Sequence, residues 1–191
     1  MEDLLEIRLH GRGGQGAKTA AQLVAEAAME TGRYIQAFPE YGPERAGAPM
    51  RAFVRVSKNP INLHCGVLTP DVVMVIDPSL LETEDVTQGL KGGTLLVNTH
   101  QSPDEIRKKI GYRDGKVATV DATGIALDTL KLPMTNIPMI GALLKVHEIV
   151  SLDDLTASIQ KKFTKKIGGE KTRANIDGLK QAYQEVKISG G

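Results

Sequence analysis

Cysteine is nearly absent: Cys65 is the only one in 191 residues. A single thiol closes no internal disulfide and cannot assemble the four-thiolate site of an iron–sulfur cluster. Tryptophan is missing and aromatic residues make up only 4% of the chain, which leaves few platforms on which single-stranded bases would stack. Net charge is nearly absent too, with 24 Lys and Arg against 23 Asp and Glu, so no global field draws the chain to nucleic acid or to an anionic membrane. No apolar run approaches the roughly 18 residues that cross a bilayer. The N-terminus, Met1-Glu2-Asp3-Leu4-Leu5-Glu6, is acidic where a signal peptide would be basic. The expectation is a soluble, cytoplasmic chain with no nucleic-acid and no membrane partner.

Glycine, by contrast, is concentrated in an informative place. A short apolar segment, Leu4-Leu5-Glu6-Ile7-Arg8-Leu9, runs into Gly11-Arg12-Gly13-Gly14-Gln15-Gly16 and then into an alanine-rich stretch. Glycines 11, 13 and 16 fit G-x-G-x-x-G, in which the first allows a tight turn, the second lets a ligand approach the backbone and the third lets helix and strand pack closely. Ala17, Ala20, Ala21, Val24, Ala27 and Ala28 then recur at helical spacing, forming a narrow face of small residues suited to lying close on a sheet. Gly32 ends that helix. Its free N–H groups and positive dipole end favour an anion above the loop. The same glycines also suit a turn needed only for tight packing, so the motif alone leaves a phosphate site and a structural turn both open.

Further along, branched apolar runs alternate with helix-like segments. Strands are expected at 4–9, 34–38, 50–56, 71–76, 94–98 and 116–120, and helices at 15–31, 82–90, 103–110, 122–130, 138–146, 152–163 and 170–186. Val72-Val73-Met74-Val75-Ile76 and Thr94-Leu95-Leu96-Val97-Asn98 are almost continuously apolar, as strands covered on both faces are. The pattern predicts a single three-layer α/β domain with a largely parallel sheet and a Rossmann-like first βα unit. After about Leu132 only helices are expected, so the α/β part covers about 1–132 and a helical part about 133–188, with Ser189-Gly190-Gly191 a frayed tail.

The glycine loop admits three nucleotide readings. A P-loop requires G-x-x-x-x-G-K-[ST], whereas Gly16 is followed by Ala17-Lys18-Thr19, one residue out of register. Lys18 stays within the first helical turn and in reach of a phosphate, but Thr19 leaves the metal-ligating position. A dinucleotide fold wants a ribose carboxylate after the second strand, and Glu40 is near that place. However, Glu40 lies beyond Pro39, inside a charged loop that runs on to Pro49 and is longer than a ribose turn requires. Such a loop is a lid or a docking surface. Docking is the favoured reading for Glu40, Glu44 and Arg45, with Tyr41 as an interface anchor that combines buried area with a polar tip.

The other polar candidates have plain structural readings. His64 and Cys65 are adjacent in an extended segment and point to opposite faces. Thr135-Asn136 reads first as a helix cap, with a role near a cofactor or subunit contact as the alternative, and Ser151 with Asp154 reads as a capping-box variant. Lys161-Lys162-Phe163-Thr164-Lys165-Lys166 reads as a solvated helix end. His10 and His100 lack the partners of a metal site, so no metal and no catalytic side chain is assigned.

Gly11-Arg12-Gly13-Gly14-Gln15-Gly16, then Phe38-Pro39-Glu40-Tyr41-Gly42-Pro43-Glu44-Arg45-Ala46-Gly47-Ala48-Pro49, then Pro70-Asp71-Val72-Val73 and Asp77-Pro78-Ser79-Leu80 together resemble the gamma subunit of pyruvate:ferredoxin oxidoreductase. The likeness runs from about residue 5 to about residue 146. It implies a multi-subunit oxidoreductase of anaerobic metabolism that converts a 2-oxoacid and coenzyme A (CoA) to an acyl-CoA, with pyruvate suggested by the loop, and that passes electrons to ferredoxin. Thiamine diphosphate, Mg²⁺ and iron–sulfur clusters would then belong to alpha-, beta- and delta-type partner chains and not to this one. The resemblance also places CoA at the edge of this chain, with Gly11, Arg12, Gly13, Gly14, Gln15, Gly16 and Lys18 toward its phosphates. A stand-alone NAD(P)- or nucleotide-binding protein is the alternative.

Overall fold

The structure is a computed structural model that describes residues 4–40 and 47–190. Seven strands form one sheet: β1 (Leu4–Arg12), β2 (Tyr34–Glu40), β3 (Pro49–Ser57), β4 (Val72–Val75), β5 (Thr94–Asn98), β6 (Lys116–Val120) and β7 (Lys187–Ser189), in the order β2-β3-β1-β4-β5-β6-β7. β1, β4, β5 and β6 are parallel neighbours. β3 runs antiparallel to both β1 and β2, and β7 runs antiparallel to β6. Only β3 and β7 therefore oppose the common direction, and the sheet is largely parallel, as the apolar runs of β4 and β5 require.

Two hydrophobic clusters cover its faces. On one face, α1 (Ala17–Glu30), α4 (Ala122–Leu130), α5 (Asn136–Val146), α6 (Leu152–Ile167) and α7 (Gly169–Glu185) bury Ile7, Leu9, Val54, Met74 and Leu96. On the other, α2 (Leu80–Thr83) and α3 (Pro103–Ile110) bury Val73, Val75, Leu95 and Val97. α1 comes close to the sheet because its inner face is alanine: Ala17, Ala20 and Ala28 are 0% exposed. α3 starts in a reciprocal capping box between Ser102 and Glu105, with Pro103 in its first turn, and stops at Gly111. Each fully buried Leu or Ile contributes about 1.5–3 kcal/mol.

Two segments depart from expectation. The helix expected over 82–90 is only the short α2, and residues 84–90 form turns in which Thr87 binds the Asp85 carboxylate through its amide (3.2 Å) and its hydroxyl (2.9 Å). A buried cation uses those turns: Arg8 Nη2 donates to the carbonyls of Val86 (3.1 Å) and Gln88 (2.6 Å), acceptors that a continuing helix would take for itself. At the C-terminus, β7 lies where a helix end and a frayed tail were expected. It pairs with β6, and Arg107 Nη2 donates to the Ser189 hydroxyl (3.3 Å) and the Gly190 carbonyl (3.1 Å). The segment after Leu132 is thus not wholly helical, and its helices share one apolar cluster with α1.

Between β1 and β4 the covering helix changes face. β1 leads to α1 on one side, whereas β4 leads to α2 on the other. In open α/β sheets such a switch point splays two loops apart at the strand C-termini and makes a ligand crevice. Here the two loops are residues 13–16 and residues 76–79.

Candidate functional site at the sheet switch point

The glycine loop turns on residues that carry positive φ: Gly14 at 95° and Gly16 at 82°. Gly16 is the N-cap of α1, where no side chain caps the helix and no acidic residue stands in the first turn. Backbone N–H groups at such an end are open to an external acceptor. Lys18 is exposed in the first turn of that helix.

Arg12 and Gln15 are engaged within the protein. Gln15 Oε1 accepts from the Arg12 amide (2.8 Å), and Gln15 Nε2 donates to Asp77 Oδ2 (2.6 Å). Arg12 Nε lies 3.2 Å from the same carboxylate oxygen, Nη2 donates to the Ser79 hydroxyl (2.9 Å), and Nη1 donates to the Gly47 carbonyl (3.2 Å). Burial works to raise the Asp77 carboxyl, but hydrogen bonds from Ser79 and Gln15 and the Arg12 charge outweigh it and hold it below the usual carboxylate range. The two loops are therefore clasped to each other by the chain's own side chains.

Asn136, the first residue of α5, stands on the α1 side of this loop. It is 6% exposed, and a Cβ built on Gly16 would lie 3.1 Å from its Nδ2. Among the described residues the one sealed polar side-chain atom without a partner is Thr156 Oγ1. The Asn136 side-chain amide makes no hydrogen bond within the described residues. α5 also starts without a side-chain cap: Thr135 holds the N-cap position, but its hydroxyl does not bond the turn as expected. Two uncapped helix starts thus lie side by side.

The remaining candidates fall elsewhere. Glu40 ends β2 and pairs with Arg51 Nε at 2.9 Å, both side chains near half exposure. It is thus held by a neighbouring strand rather than presented to a ribose. Tyr41, Glu44 and Arg45 lie outside the described residues. His10 is 3% exposed on β1 and accepts from Arg8 Nε at Nε2 (3.0 Å), while burial, then Arg8 and Arg51, lower its pKa to about 3. His64 and Cys65 are exposed, and Cys65 Sγ accepts from the buried Arg55 Nη2 at 3.8 Å. The α6 lysines are not merely solvated: Lys162 pairs with Glu26, and Lys161 with Glu30 at 3.7 Å, tying α6 to α1. Ser151 does cap α6 through the Asp154 amide (3.0 Å). Among the described residues no cluster of three or more His, Cys, Asp or Glu side chains is arranged to hold a metal ion, and no helix is long and apolar enough to cross a membrane.

The sequence reading does not place Asp77 in the site, and it takes Asn136 first as part of a helix cap, with a role near a cofactor or subunit contact as the alternative. Asp77 carried a signal, because Asp77-Pro78-Ser79 follows a continuous apolar strand as the glycine loop follows β1.

Comparison with known proteins bears on what this arrangement serves. Residues 6–185 match the family described as Pyruvate ferredoxin/flavodoxin oxidoreductase. The Pyruvate/ketoisovalerate oxidoreductases common subunit gamma of Thermococcus kodakarensis is 49% identical over 172 residues, covering 90% of this chain and 93% of that one. The crystal structure of pyruvate oxidoreductase subunit PORC from Thermotoga maritima superposes with a TM-score of 0.87 at 47% identity, covering 98% of this chain and 99% of that one. The 2-oxoglutarate:ferredoxin oxidoreductase from Magnetococcus marinus, solved with 2-oxoglutarate, coenzyme A and succinyl-CoA bound, shares the fold alone, with a TM-score of 0.79 at 22% identity over 96% of this chain and 31% of that one. These likenesses disfavour a stand-alone NAD(P)-binding protein. The chain belongs to the pyruvate ferredoxin/flavodoxin oxidoreductase family, as a gamma-type subunit of a 2-oxoacid:ferredoxin oxidoreductase.

Proposed function

We propose that this chain receives the phosphate end of CoA on its glycine loop while partner chains carry out the redox chemistry on pyruvate. The observation that carries the reading is the uncapped start of α1, with Lys18 beside it and the Asn136 amide buried against Gly16. Backbone N–H groups of Gly14 and of residues 16–18, with the Lys18 ammonium, supply charge-assisted donors for a pyrophosphate or 3′-phosphate, the Gly13 and Gln15 amides being taken by the Ala48 and Arg12 carbonyls. Arg12 and Gln15 act here through the loop's shape, because their side chains are occupied by Asp77, Ser79 and Gly47. The CoA bound in the Magnetococcus marinus enzyme, which shares this fold, is consistent with that ligand.

On this reading no side chain of the gamma chain exchanges a proton with substrate. Its contribution is positional: fixing one end of a long cosubstrate raises the effective concentration of the other end at a reaction centre in neighbouring chains. Thiamine diphosphate with Mg²⁺ in the partners supplies the decarboxylation chemistry, and iron–sulfur clusters there pass electrons on to ferredoxin. Alpha-, beta- and delta-type chains are the partners, in the cytoplasm, with the loop around Glu40, Tyr41, Glu44 and Arg45 as the docking surface. The chain folds into one α/β domain in that assembly.

The test uses the assembled complex with Lys18→Ala or Asn136→Asp. An aspartate at the first position of α5 suits the helix dipole, so stability should hold while a carboxylate is set against the incoming phosphate. The KM for CoA is expected to rise about tenfold in each, the loss of roughly one charge-assisted hydrogen bond. An unchanged CoA dependence in both variants overturns the reading.

A further inference from the structure

Asp77 joins chain segments that are far apart in sequence. Its Oδ1 accepts from the Ser79 amide (3.0 Å) and hydroxyl (2.6 Å), which shapes the turn after β4. Its Oδ2 takes Gln15 Nε2 (2.6 Å) and Arg12 Nε (3.2 Å). The residues held by Oδ2 are the ones that fold the glycine loop and reach beyond it. Gln15 closes the loop on the Arg12 amide, and Arg12 extends to the Gly47 carbonyl. The backbone continues the connection: the Gly13 amide donates to the Ala48 carbonyl (3.0 Å), and the Gly47 amide to the Gly13 carbonyl (3.3 Å). At 13% side-chain exposure, Asp77 accepts from both sides of this connection in a setting partly shielded from water.

We infer that Asp77 is a positioning residue that couples the glycine loop to residues 47–49, so that a phosphate-bearing ligand on the loop and the docking of partner subunits strengthen one another. A ligand that orders residues 13–16 favours the clasped arrangement, and the clasp fixes the backbone of Gly47 and Ala48 where the chain leaves the docking loop. Each event removes part of the ordering cost of the other, and the coupling is reciprocal. The ligand in this linkage is the CoA, and the docking surface the loop, of the reading above, on which the linkage rests; the clasp between the two segments depends on neither.

In Asp77→Asn the side chain keeps its shape, but one acceptor becomes a donor. Whichever way the amide turns, donor meets donor, either at Gln15 and Arg12 or at Ser79. Amide hydrogen exchange in the full chain is expected to quicken about tenfold at residues 13–16 and at 47–48 together, with α5 and α7 unchanged, a split that general destabilisation does not produce. In the reconstituted complex, saturating CoA should tighten association of wild-type chain with its partners by about fivefold, and the ratio should fall close to one in Asp77→Asn. Ser79→Ala removes the hydroxyl that Asp77 and Arg12 share, and should give an intermediate ratio if Asp77→Asn does not fold. Faster exchange in 13–16 without 47–48 overturns the clasp. Equal CoA ratios in wild type and variants, or none in wild type, overturn the linkage. Should Lys18→Ala and Asn136→Asp show that CoA does not bind here, paired or unpaired exchange still decides the clasp.

Discussion

His10 is placed on β1 with 3% of its surface exposed, accepting from the Arg8 guanidinium. Burial first, then the charges of Arg8 and Arg51, lower its pKa from 6.5 to about 3. A histidine depressed in this way is neutral in the folded chain and protonated in the unfolded one across that interval. The unfolded state then binds more protons, so stability is lost as pH falls from about 6.5 toward 3. His10→Gln keeps an acceptor for Arg8 and removes the titration. The variant should lose less stability than wild type over that range, the difference reaching on the order of 4 kcal/mol at its acid end, read from denaturant midpoints at a series of pH values. An equal acid dependence would show that His10 does not titrate this way. The same scale separates what sequence makes visible from what it hides. Gly16 is legible because a positive φ excludes most other residues and so prints itself as glycine, whereas the tight turn expected at Gly11 falls at Gly14, Gly11 lying within β1. Asp77 is hidden because a carboxylate is ordinary in a loop, and Asn136 stays ambiguous because an amide at a helix start reads first as a cap. Only the fold brings Asp77 to Gln15 across 62 residues, or Asn136 onto Gly16.

At the scale of elements, long periodic or continuously apolar segments were readable and short ones set by distant partners were not. α1, α3, β4, β5 and β6 carry their own caps, periods or apolar runs. The turns of 84–90 exist because a buried arginine draws on their carbonyls, and β7 exists because β6 has a free edge and Arg107 holds the last residues. Neither cause is local. Helix packing offers a sharper test, at the crossing of α5 and α7. A Cβ built on Gly141 would lie 2.0 Å from the Leu179 carbonyl oxygen, so the two backbones approach as closely as glycine permits. Gly141→Ala gains helix propensity of about 1 kcal/mol, but overpacking a buried crossing costs about 1–3 kcal/mol or more. Net destabilisation is expected, seen as a lower urea midpoint with an unchanged slope, and larger again for Gly141→Val. A midpoint that rises in Gly141→Ala would mean that the helices separate freely here.

For the molecule as a whole, the covered and uncovered parts of the sheet suggest how work is divided in the complex. One face is sealed by five helices over a continuous apolar cluster, and the polar groups that could meet a ligand gather at the switch point between β1 and β4. That arrangement suits recognition of a cosubstrate common to all 2-oxoacids rather than discrimination among their side chains. The Thermococcus kodakarensis relative, 49% identical, is named as common to pyruvate and ketoisovalerate oxidoreductases, two activities named for different 2-oxoacids. Selection of the 2-oxoacid should therefore reside in the partner chains. Exchanging this gamma chain for that relative in a reconstituted complex is expected to leave the ratio of kcat/KM for pyruvate over 2-ketoisovalerate within about twofold, a difference of roughly 0.4 kcal/mol in transition-state binding. The KM for CoA, by contrast, should follow the gamma chain, because the loop that would meet CoA travels with it. A tenfold change in the substrate ratio, with the KM for CoA unmoved, would reverse that division and put side-chain discrimination in the gamma chain.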